Sequence, residues 1–142
     1  MAGYSGTPLS KKLGIKPGAK VCLVGAPEGY RALLDPIPPD VSFMGPGSVG
    51  IDIVHGFVTL RAELATLLAT YHPRIQQAGA IWVSWPKKSS KIATEVTEDT
   101  VREIALPMGL VDIKVCAVDE TWSGLKLVIR KENRIASARS KK

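Results

Sequence analysis

The stretch Val21–Tyr30, V-C-L-V-G-A-P-E-G-Y, joins a continuous apolar run to a turn bearing two glycines. The run, Lys20 to Val24, suits a strand covered on both faces, as in a parallel sheet with helices above and below. A glycine turn after such a strand, with Pro27 placed to open a helix, is where α/β proteins seat nucleotides and adenosyl groups. Inside the turn, however, Pro27 offers no N–H to an anion. Glu28 puts a carboxylate where a phosphate would sit, and that carboxylate suits the helix dipole on its own account. Gly25, Glu28 and Gly29 therefore read first as a structural turn. A neutral or cationic adenosyl ligand is the alternative, since Glu28 does not repel it.

The rest of the chain follows the same rhythm. Thr7 and Pro8 mark a helix start, and S-K-K-L gives a turn or two ending near Gly14. Pro27 opens a short helix with Tyr30, Leu33 and Leu34 on one side, broken by P-I-P-P. Val41 to Met44 and Ile51 to Val58 read as a second and a third strand. Apolar residues at 60, 64, 67 and 68 predict an amphipathic helix. Pro73 then forces a kink or a second short helix over Arg74 to Gln77. A fourth strand runs from Ala80 to Trp85, and Thr97 caps a helix whose first turn holds Glu98 and Asp99. The segments V-D-I-K-V-C-A-V and G-L-K-L-V-I-R, joined by D-E-T-W-S, predict a terminal antiparallel hairpin. Strands alternating with helices imply a three-layer α/β domain, Rossmann-like, with a mostly parallel sheet of about six strands.

Composition agrees with one domain. The chain has 142 residues, 45% apolar, enough to bury a sizeable core. No apolar run approaches the roughly 20 residues that span a bilayer, and no basic-then-apolar leader opens the sequence, so a cytoplasmic location is expected. Cys22 and Cys116 both fall in strands and read as small buried hydrophobes. The net charge of +6 is uneven: Lys131 onward carries five basic residues and one acid, leaving fourteen and twelve in the remainder. Residues 1–130 are thus a nearly balanced domain, and 131–142 a flexible basic tail. The tail reads as a solvated terminus, or else as a contact for nucleic acid.

The order of these elements resembles class I S-adenosylmethionine methyltransferases, whose last strand is antiparallel and inserted in the sheet. More specifically, G-Y-S-G-T-P-L-S-K-K-L-G-I, W-V-S-W-P-K-K and L-P-M-G-L-V-D-I-K-V-C-A-V-D-E-T-W-S-G-L-K-L-V resemble a family of small bacterial proteins of unknown function. Against the methyltransferase layout the chain departs in three places. One strand–helix unit is missing, with only G-P-G-S-V-G between the second and third strands. The cofactor loop of three alternating glycines is reduced to G-A-P-E-G. The acid that ends the second strand and holds ribose hydroxyls is absent, Asp40 lying at the other end of that strand. Each departure removes part of a cofactor site, so the expectation is a fold without a cofactor, with S-adenosylmethionine as the alternative.

Ligands of open α/β sheets bind beyond the carboxyl ends of the strands. That edge collects His55, Trp85, Lys87 and Lys88, and the resemblance of the last hairpin to the methyltransferase pattern implies that Asp119, Glu120 and Trp122 join them. Two tryptophans among opposite charges fit a polar, planar small molecule, or else ion pairs that merely tie loops together. His55 falls at the cleft and His72 precedes Pro73, but neither has a visible partner to orient it as a general base. Ser84, Ser89 and Ser90 lack the G-x-S-x-G elbow, and no metal-ligand spacing is present. The expectation is a non-catalytic binding or regulatory module, with an unidentified protein or small-molecule partner. A reduced methyltransferase or other small-molecule enzyme is the alternative, and nucleic-acid binding through the tail is a third.

Overall fold

A computed structural model describes residues 8–45 and 47–131. Thr7, Pro46 and the tail beyond Lys131 lie outside the described residues, and so do the cap expected at Thr7 and the nucleic-acid contact expected of the tail.

Among the described residues the elements are α1 (Leu9–Leu13), β1 (Lys20–Val24), α2 (Tyr30–Leu33), β2 (Ser42–Phe43), β3 (Ile51–Phe57), α3 (Arg61–Tyr71), β4 (Ile75–Pro86), α4 (Glu98–Ala105), β5 (Leu110–Ala117) and β6 (Trp122–Ile129). They form one six-stranded sheet in the order β2-β1-β3-β4-β6-β5. The first four strands are mutually parallel. β6 runs antiparallel between β4 and β5, closing the sheet as the expected hairpin. The order reverses between β1 and β3, since the chain leaves β1 toward one edge through β2 and returns to build the other. β2 is an edge strand of only two residues, followed directly by the turn into β3. Among the described residues the sheet likewise has no strand–helix unit between β2 and β3.

Alternation along the strands divides the interior into two layers. Val54, Ile81, Val83, Leu125 and Leu127 face α3 and α4, meeting Leu64, Leu67, Leu68 and Val101. Val21, Ile53, Phe57 and Trp82 face α1 and α2, meeting Leu9, Leu13, Tyr30 and Leu34. Trp82 is fully buried, and its indole N–H donates to the Leu13 carbonyl at 3.0 Å, tying α1 to the middle of β4. On the other layer Arg102 of α4 pairs with Glu98 and with Asp112 of β5, the latter at 2.9 Å.

Three local expectations change. The segment after Pro73 is a single 3₁₀ turn, His72–Arg74, and Gln76 and Gln77 already belong to β4. Pro73 fits the first turn of such a helix, where its missing N–H costs nothing, and Ile75 then pairs with Ile51 in the parallel ladder. Leu33 is exposed, because α2 is one turn long and only Tyr30 and Leu34, four apart, reach the sheet. Cys22 is buried as expected, whereas Cys116 is half-buried, and both are free thiols.

Candidate functional site

The chain leaves β1 at Val24 and turns through Gly25 and Gly29, both with positive φ (+69° and +82°), into α2. Gly25 carries two constraints. Its φ is one that L side chains rarely adopt, and a Cβ there would lie 3.1 Å from the Phe57 carbonyl at the end of β3. The turn is thereby pressed against β3, at the point where the strand order reverses. Gly25, Glu28 and Gly29 are all exposed on this edge. With only four residues, α2 has too short a run of aligned peptide dipoles to act as a phosphate seat.

A cleft of about 540 Å³ opens beside the turn. Its walls are Val24 at the end of β1 and Gly25 after it, Phe57 at the end of β3 and Val58 after it, and the face of α3 from Ala62 to Tyr71. The close approach of α3 depends on Gly56, where a Cβ would fall 2.4 Å from Leu67 Cδ2. Glu63 is the acid of this cleft. Its Oε1 accepts the backbone N–H groups of Thr59 (2.9 Å) and Leu60 (3.2 Å), which cap α3 and hold the carboxyl below its usual range. Its other oxygen, Oε2, makes no hydrogen bond among the described residues. At the far end, burial and the neighbouring Cys22 thiol push the Tyr71 phenol above its usual range.

On the opposite face of β3, beneath the turn, lies a buried polar chain that the sequence did not reveal. His55 is completely buried. Its Nδ1 lies 2.7 Å from the Tyr30 hydroxyl and its Nε2 2.7 Å from Ser84 Oγ. The ring stacks on Phe57 (centroids 4.3 Å apart), and Phe57 meets Trp122 edge-on at 5.1 Å. Burial pushes the imidazole down to about 3, so it is neutral near pH 7. Burial likewise raises the Tyr30 phenol. A neutral imidazole has one N–H, so one hydroxyl donates to the ring and the other accepts from it. Tyr30 directly follows Gly29, so the chain Tyr30–His55–Ser84 anchors the turn to β3 and β4. It reaches neither solvent nor the cleft, and it positions the turn rather than exchanging protons with a ligand.

The remaining sequence candidates are spread out. Trp85 is 93% buried in the α3/α4 layer, whereas Trp122 is half-buried on the opposite face of the sheet. The two tryptophans therefore do not share one cleft. Asp119 Oδ1 accepts the backbone N–H groups of Thr121 and Trp122, each at 2.8 Å, and so shapes the β5–β6 turn. The Lys87 N–H donates to the Thr121 carbonyl at 2.8 Å, joining the two loops through backbone. Lys88 and Glu120 are exposed. Among the described residues, neither Lys87 nor Lys88 pairs with Asp119 or Glu120, so the loops meet without ion pairs between them. Tyr30 and Ser84 are the residues that sequence reasoning missed. The only sequence signal was their place, a tyrosine closing the glycine turn and a serine two residues beyond the register partner of His55 on the next strand.

No protein-family model matches the chain, and no curated protein matches it in sequence. Solved structures do match in shape. A putative type 11 methyltransferase from Sulfolobus solfataricus superposes with a TM-score of 0.61 at 12% identity, over 86% of this chain and 89% of that one. An S-adenosylmethionine-dependent methyltransferase from Aquifex aeolicus gives 0.59 at 12% identity, over 84% and 86%. Fibrillarin from Aeropyrum pernix, in complex with natively bound S-adenosyl-L-methionine, gives 0.59 at 17% identity, over 89% and 70%. This corrects the expectation of a fold without a cofactor. The departures on which it rested leave the chain in an architecture whose solved examples include one holding S-adenosylmethionine. At these identities the likeness is one of architecture: the chain has the Rossmann-like, methyltransferase-like α/β fold, with a short β2 edge.

Proposed function

We propose that the chain binds S-adenosylmethionine at the carboxyl edge of β1 and β3 and acts as a reduced methyltransferase. The observation that carries this reading is the cleft of about 540 Å³ at the point where the strand order reverses, directly beside Gly25. Open α/β sheets bind their ligands at that place. The residues present fit the group. Gly25 and Gly29 are exposed and without side chains, leaving the backbone open to close approach, and Glu28 beside them complements a cation rather than a phosphate. Phe43, which ends β2, and Met44 after it offer no acid to hold ribose hydroxyls. Glu63 is the residue of the cleft able to replace it through Oε2. When bound, S-adenosylmethionine supplies an electrophilic methyl group. The protein's part is to orient it and exclude water through Val24, Val58 and Leu67. His55 is walled off from the cleft, so the reading favours an acceptor that needs no imidazole base. The setting proposed is the cytoplasm of a bacterium, following the three segments that resemble the small bacterial family.

Titration calorimetry with S-adenosylmethionine and S-adenosylhomocysteine tests it. Dissociation constants of about 1–100 μM are expected for at least one of them. Thr66→Trp, which fills the cleft from the exposed side of α3, should remove the heat, and Glu63→Gln should weaken binding by about tenfold, or ~1.4 kcal/mol. No binding of either compound at about 1 mM would return the chain to the non-catalytic reading.

A further inference from the structure

The opposite edge of the sheet carries a second and larger cleft, of about 710 Å³. It lies between the α1–β1 turn, the start of β3 and the start of β4, with Lys126 of β6 reaching in from the α1 side. Its charge is unusual in two ways. Lys16 and Lys126 both line it, and the β5–β6 register sets Lys114 directly opposite Lys126. Like charges directly opposite on one face of a ladder destabilise it. Among the described residues none of these three ammonium groups has an ion-pair partner. Lys126 is half-buried, 3.6 Å from where a Gly14 Cβ would stand. Burial together with Lys114 and Lys16 pushes its ammonium below the usual range. The folded chain therefore holds three cations together, with no ion pair among the described residues to offset their repulsion. The facing wall is of the other kind. Asp52 Oδ2 is held by the Lys20 N–H at 2.9 Å, and the Gln76 amide is held by its N–H to the Gly50 carbonyl at 3.1 Å. Both are fixed acceptors at the cleft.

Cations at one end and acceptors for hydroxyl groups at the other describe a seat for a phosphorylated sugar. We propose that this cleft binds a ribose phosphate, free or as part of a nucleotide, with its phosphate on Lys16, Lys114 and Lys126 and its hydroxyls toward Asp52 and Gln76. The volume falls in the range of small-molecule sites, roughly 300–1,000 Å³. The site is independent of the carboxyl-edge cleft, from which the sheet separates it.

Calorimetry of the full chain with ribose 5-phosphate, adenosine 5′-monophosphate and ribose tests the proposal without any methyl donor. At about 150 mM salt both phosphates should bind below roughly 1 mM, and ribose should bind at least about tenfold more weakly. Tighter binding of the nucleotide than of the sugar phosphate would identify a nucleotide as the source; the reverse would identify a free sugar phosphate. Lys126→Gln should weaken both phosphates by about tenfold while raising the melting temperature, because it relieves the repulsion. Asp52→Asn should weaken ribose 5-phosphate without weakening inorganic phosphate. Equal affinity in wild type and Lys126→Gln, or no heat with either phosphate at about 5 mM, would overturn the proposal.

Discussion

Acid should weaken this fold well before its carboxylates protonate, and His55 should be the cause. The imidazole sits wholly inside the α1/α2 layer between two hydroxyls, and its pKa falls from 6.5 to about 3 on folding. The unfolded chain takes up a proton on this ring as pH drops through about 6.5, while the native chain refuses it until near 3. The stability contribution is intact above about pH 6.5, falls progressively below it, and is fully lost only near pH 3. A tenfold change in proton affinity is worth ~1.4 kcal/mol, so the full loss is about 5 kcal/mol, of which roughly 2–3 kcal/mol falls between about pH 7.5 and 4.5. That window is informative because Glu63 and Glu103, whose hydrogen bonds lower their carboxyl groups, contribute mainly below it. Urea unfolding followed by tryptophan fluorescence at intervals across the window measures the slope. His55→Gln should be less stable at neutral pH, because it disturbs two buried hydrogen bonds worth ~1–3 kcal/mol each when a partner is left unsatisfied. Its stability should then be nearly flat where the wild type falls. Equal slopes in the two proteins, or a wild-type loss below about 0.5 kcal/mol, would refute the reasoning.

Two further outcomes follow from the geometry of the carboxyl edge. Gly56→Ala drives a methyl group to within 2.4 Å of Leu67, so it should cost about 1–3 kcal/mol in denaturant unfolding and narrow the carboxyl-edge cleft together with its ligand affinity. Trp85→Ala should cost about 3–5 kcal/mol, as a core deletion does. Trp122→Ala, at a half-buried site against one phenyl ring, should cost clearly less in the same measurement.

The resemblance to methyltransferases begins with element order, and the structure explains why order is enough for the fold. Continuous apolar runs at Val21–Val24 and Ala80–Val83 demand cover on both faces, which only a doubly covered sheet provides. Helical spacing at residues 60 to 68 and the Thr97 cap then set where the covering elements start. The last hairpin is legible from its alternation and its turn, and Asp119, a candidate ligand residue by sequence, holds that turn through two backbone N–H groups.

The site is far less legible. Residues gathered by the strand-edge rule, such as Trp85 and Trp122, separate once the pleat assigns them to opposite faces. One-residue differences in register decide that, and a list of loop residues does not contain them. The cofactor loop shows the same limit. Pro27 and Glu28 argue against a phosphate, but the expectation of no cofactor treats missing motif residues as a missing site, whereas Glu63 reaches the cleft from α3. The partners of His55 are invisible for another reason: Tyr30 and Ser84 lie 25 and 29 residues away, and only the β1–β3–β4 register brings them to 2.7 Å. By itself the sequence determined the parallel sheet, its covering helices and the reduced edge, because local periodicity and turn chemistry leave few other ways to bury these side chains. Tertiary structure alone decided which side chains face each other, since contact across strands depends on register and twist. From it come the neutral imidazole under the glycine turn and the three lysines left together at the opposite edge.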